Sequence, residues 1–113
     1  MEFLIRIDVR LPARMDEDAK SRVSAAEAAR GQELGRAGVI RAMWRVPGRL
    51  ANVGIWSVPG PDELHAAISS LPMWPYMRVE VTAIATHDLA PHLPFTCGPL
   101  TTATPPPAPE PPA

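Results

Sequence analysis

Residues 3–11 alternate: Phe3, Ile5, Ile7, Val9 and Leu11 interleave with Leu4, Arg6, Asp8 and Arg10. Side chains of an extended strand point to opposite faces in turn, so this period over nine positions predicts a strand with one face on a core. Pro12 ends it. From Asp16, an N-cap residue followed by Glu17 and Asp18 at the positive end of a helix dipole, an alanine-rich run predicts one long helix to about Ala37, with Gly38 as its stop. On a helical wheel Ala19, Val23, Ala26, Arg30, Leu34 and Ala37 form the inward stripe, and Glu27 falls on it too. Residues 39–46 and 51–58 read as two strands of a hairpin joined by Pro47-Gly48-Arg49-Leu50. Pro59-Gly60-Pro61-Asp62 breaks the second strand and caps a short helix in which Leu64, Ala67, Ile68 and Leu71 recur at helical spacing, closed by Pro72. Residues 77–86 alternate again, with Val79, Val81, Ala83 and Ala85 on one face.

The order β-α-β-β-α-β predicts an α+β, ferredoxin-like domain: an antiparallel four-stranded sheet with two helices on one face. A monomer would leave the other sheet face bare. That face carries apolar and arginine side chains, so an oligomer is expected.

Proline locates the end of this domain. Nine of the 15 prolines lie after residue 90, six of them in the final PPPAPEPPA. Residues 1–90 are therefore read as the folded domain and 91–113 as a proline-rich, flexible tail, either a spacer or a polyproline II segment for an aromatic groove.

Eleven basic residues against 12 acidic ones give a net charge of −1, which argues against nucleic acid and anionic membrane as partners. Ten of the eleven are arginine, a side chain suited to bidentate carboxylate recognition, although arginine-rich codon usage gives the same bias. The single cysteine, Cys97, has no partner for an internal disulfide and no metal-ligand spacing around it. The opening MEFLIRID fits neither a signal peptide nor a membrane span, so a cytoplasmic location is expected.

Candidate chemistry is sparse. Glu27, on the inward stripe with Ala19, Ala26 and Gly31 beside it, must be paired with a cation such as Arg30 or Arg41, hydrated in a pocket, or protonated. In a partly dry cavity it would have a raised pKa suited to proton transfer. Arg41, Met43 and Arg45 share one face of the second strand in this reading, with Ile40, Ala42, Trp44 and Val46 on the other. The two arginines either grip a carboxylate, stay solvated or cross a subunit contact, and Asn52 can pair with either. His65, His87 and His92 show no metal-binding spacing, and no phosphate loop, serine elbow or Cys/His pair occurs. Trp44, Trp56, Trp74 and Tyr76 read chiefly as core and interface.

Taken in order, one set of residues resembles the muconolactone Δ-isomerase family over about residues 1–88. The set is Met1-x-Phe3, Val9-Arg10-Leu11-Pro12, Met15-Asp16, Glu27, Arg41-x-x-Trp44-Arg45-x-x-Gly48, Ala51-Asn52, Val58-Pro59, Leu64-His65 and Leu71-Pro72-x-x-Pro75-Tyr76-Met77-x-x-Glu80-Val81. The resemblance implies a ferredoxin-like protomer in a homodecamer, without metal or organic cofactor, in the β-ketoadipate pathway of aromatic catabolism. The reaction it implies is a 1,3-proton shift in muconolactone, a butenolide with an acetate arm, giving the 3-oxoadipate enol-lactone. Glu27 would be the base and the acid that returns the proton. Arg41 or Arg45 would hold the acetate or the developing oxyanion, with Trp44, Asn52, His65 and Tyr76 around the substrate. Ile40 and Ala42 stand where the family often carries tryptophan and histidine, Val53 where it carries an aromatic, and Trp56 and Trp74 where phenylalanine is frequent. These departures bear on which lactone fits. The alternatives are a cyclase, monooxygenase or other lactone-processing enzyme of aromatic metabolites on the same scaffold, and a non-catalytic binding module.

Overall fold

The computed structural model describes residues 1–92. Strand β1 spans Glu2–Val9, helix α1 Glu17–Arg36, β2 Ile40–Arg45, β3 Ala51–Ser57, α2 Pro61–Ser69 and β4 Met77–Ile84; single 3-10 turns cover Trp74–Tyr76 and Ala90–His92. The strands form one sheet in the order β2-β3-β1-β4, every neighbour antiparallel. This is the expected ferredoxin-like α+β arrangement. The tail expected after residue 90 falls, from residue 93 onward, outside the described residues.

Local chemistry sets the element ends. The Asp16 carboxylate accepts a hydrogen bond from the Ala19 N–H at 2.7 Å and so satisfies one of the orphan donors of the first turn of α1. At the other end the Val39 N–H donates to Leu34 O at 2.9 Å and the Gly38 N–H to Gly35 O at 3.1 Å, the paired bonds of a Schellman stop. Between β2 and β3, Arg49 N–H donates to Val46 O at 3.3 Å across Pro47 and Gly48. Gly48 has φ +77°, the left-handed value required at the third position of a type II turn.

β1 is the centre of the core. Phe3, Ile5 and Ile7 are buried on one face and lie across β3 from Trp56, Gly54 and Asn52. Leu34 of α1, Leu64 and Ile68 of α2, and Leu71 and Val58 complete the cluster, so both helices cover this face. Each fully buried aliphatic or aromatic side chain contributes about 1.5–3 kcal/mol. The opposite face exposes Leu4 at 40% and Trp44 at 56%, beside Val53 and Ile55.

Two expectations about facing are corrected. The inward stripe of α1 runs through Ala19, Val23, Glu27, Gly31 and Leu34, while Ala26 and Ala37 are exposed. Small side chains all round the helix give little contrast with which to fix its rotation. In β2 the register slips between Ile40 and Ala42: Ile40 lies opposite Trp56, but Ala42 lies opposite Ile55, Met43 opposite Gly54, Trp44 opposite Val53 and Arg45 opposite Asn52. This bulge takes up one extra residue, so Ile40, Met43 and Arg45 share the helix-covered face and Ala42 and Trp44 the open one. Arg41 is the residue at the irregularity, not a member of a common face with Met43 and Arg45.

Candidate active site

A cavity of about 610 Å³ lies between α1 and the covered face of the sheet. Ser24, Glu27, Ala28, Gly31 and Gln32 supply its α1 wall; Ile7, Arg45, Asn52 and Trp56 line the sheet side, and Leu71 and Met73 close it from the loop after α2. Alanine and glycine at 28 and 31 keep the helix wall thin, so the helix covers the sheet without filling the space between them.

Glu27 is the titratable group set into this wall. Its Oε1 accepts the Met73 backbone N–H at 2.9 Å. Burial pushes its carboxyl above the usual carboxylate range, and the Met73 hydrogen bond opposes that shift without cancelling it. Among the described residues no cation lies within ion-pairing distance of Glu27. Arg30, a candidate partner from the sequence, turns away to Glu33 at 2.8 Å and to the Ser70 hydroxyl at 2.9 Å. A desolvated, unpaired carboxylate held by one backbone donor is suited to removing a proton and giving it back.

Arg45 and Asn52, paired across β2 and β3, present their side chains to the same cavity. The Arg45 guanidinium donates through Nη1 to Ala51 O at 3.3 Å, which leaves most of its donors for an incoming carboxylate. Among the described residues, two buried side-chain polar atoms have no hydrogen-bond partner: Asn52 Oδ1 and Trp56 Nε1, both on cavity-lining residues.

Four residues expected at the site are not walls of this cavity. Arg41 sits at the bulge; Trp44 is turned to the open sheet face by it. His65 is exposed on α2, its ring edge-on to Trp74 at 5.6 Å. Tyr76 lines a separate charged groove with Arg6, Asp8, Arg49, Arg78 and Glu80. There Asp8 is already paired with Arg6 at 3.0 Å and Arg49 at 3.2 Å. The structure thus brings together Glu27, Arg45 and Asn52, and adds Trp56 and Met73. The Met73 contribution is a backbone amide, which no side-chain pattern signals. Gly54 within a strand pattern was a readable sign of the bulge. Among the described residues no three His, Cys, Asp or Glu side chains cluster as metal ligands, and no helix is long and apolar enough to cross a membrane.

Comparison with known proteins puts this geometry in context. A family model described as muconolactone delta-isomerase matches residues 1–90. The chain is 40% identical over 87 residues to the muconolactone delta-isomerase of Acinetobacter baylyi, covering 77% of this chain and 91% of that protein. Against the Rhodococcus opacus muconolactone delta-isomerase the identity is 36% over 85 residues, covering 75% of this chain and 91% of that one. A crystal structure of muconolactone isomerase matches with a TM-score of 0.73 and 35% identity, over 78% of this chain and 92% of that chain. The 5-chloro-2-hydroxyhydroquinone dehydrochlorinase of Burkholderia phenoliruptrix, in complex with 2,5-dihydroxybenzoquinone, matches with a TM-score of 0.59 at 18% identity, over 77% of this chain and 96% of that one. At that identity the likeness is one of fold alone.

Proposed function

The chain belongs to the muconolactone delta-isomerase family, and from that premise we propose that it is an isomerase of muconolactone, giving the 3-oxoadipate enol-lactone. The hydrogen that moves leaves the ring carbon bearing the acetate arm. That carbon is conjugated through the ring double bond to the lactone carbonyl, so the electron pair of the breaking C–H bond spreads to the carbonyl oxygen. The proton returns at the carbon beside the carbonyl, and the oxygen's charge collapses to restore the C=O bond. The step needs an acid–base group and a stabiliser for the oxygen, and it is balanced without any co-reactant.

Glu27 is the acid–base group in this reading. The observation that carries it is the environment of that carboxylate: set in a cavity wall, raised in pKa by burial, and free of any ion pair among the described residues. A raised pKa makes the carboxylate a stronger base, and the proton it takes up is then held for return to the substrate. Arg45 holds the acetate arm, and Asn52 donates to the ring oxygens; the Asn52 amide places either its oxygen or its nitrogen toward the ligand after a half-turn. Arg41, Trp44, His65 and Tyr76 are assigned no role in the cavity of a single copy.

The same proposal includes a homo-oligomer, the decamer implied by the resemblance, supported by Leu4, Trp44, Val53 and Ile55 on the uncovered sheet face. It also includes the β-ketoadipate pathway as setting and the cytoplasm as location, which a chain with a single cysteine suits. Residues 91–113 are taken to lie outside the catalytic unit.

Incubating the purified full chain with muconolactone in heavy water tests the assignment. Isomerisation by the wild type, with Glu27→Gln slower by about 1,000-fold or more at unchanged oligomer size, is the expected result. No turnover by the folded wild type would sink the substrate, and a near-wild-type rate in the variant would remove Glu27 from its role. Sedimentation reads the oligomer, and truncation after residue 92 is expected to leave turnover intact.

A further inference from the structure

The indole N–H of Trp56 is a buried donor that the reaction as described leaves unused. Trp56 is 0% exposed, lines the cavity that holds Glu27, and has no hydrogen-bond partner at Nε1 among the described residues. An unpaired buried donor costs about 1–3 kcal/mol, and native structures rarely keep one without cause. Trp56, Gly54 and Asn52 share the covered face of β3, opposite Phe3, Ile5 and Ile7. A Cβ on Gly54 would lie 3.6 Å from Trp56 Nε1, so the indole leans back along its own strand over the bare glycine, toward Asn52. The carbonyl oxygen of Ala42 lies 2.6 Å from the same Cβ position, yet it is not bonded to the indole. An indole donor with no partner among the described residues is available to a third group.

We propose that Trp56 Nε1–H donates to the lactone carbonyl oxygen and stabilises the negative charge that develops there, an inference that rests on the isomerase reading above. As Glu27 takes the ring proton, the C–H electron pair moves through the ring and the carbonyl π pair moves onto oxygen, where the indole hydrogen bond strengthens. When Glu27 returns the proton beside the carbonyl, the oxygen gives its pair back and the bond weakens again. A neutral donor suits this position. It carries no ion-desolvation cost in the core and cannot form an ion pair with Glu27 that would quench the base. The arrangement also orients the ring: Trp56 is fully buried and Arg45 is exposed, so the carbonyl enters first and the acetate arm stays at the mouth. Nε1 is itself buried, so a ligand reaches it only after neighbouring side chains shift; Met43, Met73 and Met77, whose thioethers are flexible, line the cavity.

The full chain contains three tryptophans, so 15N labelling gives three indole N–H signals, assigned with Trp44→Phe and Trp74→Phe. The probe is the saturated γ-lactone bearing the same acetate arm, which binds but has no double bond to move. The Trp56 signal should shift downfield on titration while the other two hold still. A bound probe with an unmoved Trp56 signal, as an internal water on the indole would give, overturns the proposal. Trp56 stands where the family often carries phenylalanine, so the donor is this chain's own addition, and in turnover Trp56→Phe should lower kcat about 10-fold with KM little changed. A variant as fast as the wild type overturns the proposal and leaves Glu27 chemistry standing, whereas a wild type inert toward muconolactone removes the parent reading itself. If Trp56→Phe does not fold, the wild-type titration decides alone.

Discussion

Alanine at position 54 would place a methyl group where the β2 bulge has already placed a carbonyl oxygen. A Cβ built there lies 2.6 Å from Ala42 O and 3.6 Å from the Met43 Cα. The first distance is about 1 Å inside the optimum for non-bonded heavy atoms. Both crowded groups are backbone of paired strands, so no rotamer change relieves the contact. Either the β2–β3 ladder opens beside the Met43–Gly54 pair or the bulge straightens. Overpacking of this kind costs about 1–3 kcal/mol, and a weakened ladder bond adds about 1 kcal/mol. At about 4–8 °C per kcal/mol for a domain of this size, that total of about 2–4 kcal/mol should lower Tm by roughly 8–32 °C. Straightening would also turn Met43 and Arg45 from the covered face to the open one, because a one-residue slip inverts a strand. Calorimetry together with muconolactone turnover measures both effects, and lost activity should exceed what the unfolded fraction explains. A Gly54→Ala variant with wild-type Tm and turnover would refute the argument that close approach at Gly54 holds the bulge in register.

Gly35 lies in α1 with nothing within 4 Å of its added Cβ, so Gly35→Ala should stabilise the domain by about 0.5–1 kcal/mol in urea unfolding. Asp16→Ala removes the cap on the Ala19 N–H and should cost about 1 kcal/mol by the same assay. Leu34 is the buried residue of α1, and Leu34→Ala should cost about 2–5 kcal/mol. Glu27→Gln should be more stable than the wild type at neutral pH. Its folded pKa is raised, so the native state holds its proton longer than the unfolded chain, and wild-type stability falls as pH rises through the folded value. The two stability curves should coincide below the ordinary carboxylate range, separate as pH rises from there to the raised value, and run parallel above it; curves that stay parallel through that window would contradict this.

Element order was legible because the β segments alternate at period 2 and carry prolines and glycines at their ends, as at Pro12, Pro47-Gly48 and Pro59-Gly60. The position of Glu27 in a cavity wall was legible from helical spacing, although the stripe itself was misphased by Ala26 and Ala37. What resisted reading was anything set by a single inserted residue or by the main chain. Strict alternation grouped Arg41 with Arg45, and only the slip after Ile40 separates them. The Met73 amide that anchors Glu27 belongs to a loop whose path is tertiary, and no spacing pattern signals that the buried indole of Trp56 is unpaired. Sequence pattern reports which residue types face the core; it does not report which of their polar atoms are left unpaired there.

The bulge also explains why the cavity holds a cation at all. If β2 ran without it, Ile40 would share the covered face with Ala42 and Trp44, and the arginines at 41 and 45 would both face outward. One extra residue replaces that apolar set with Met43 and Arg45, and so admits a guanidinium to a space otherwise walled by Ile7, Leu71 and Met73. Arg45 and Glu27 are nonetheless kept beyond ion-pairing distance. A direct pair would lower the carboxylate pKa and occupy the guanidinium together, removing both of the roles proposed for these residues. Holding the two charges apart in one cavity costs stability at position 27. In the reaction proposed above, a ligand with a carboxylate for Arg45 and an acidic C–H for Glu27 would use the two groups while they stay apart.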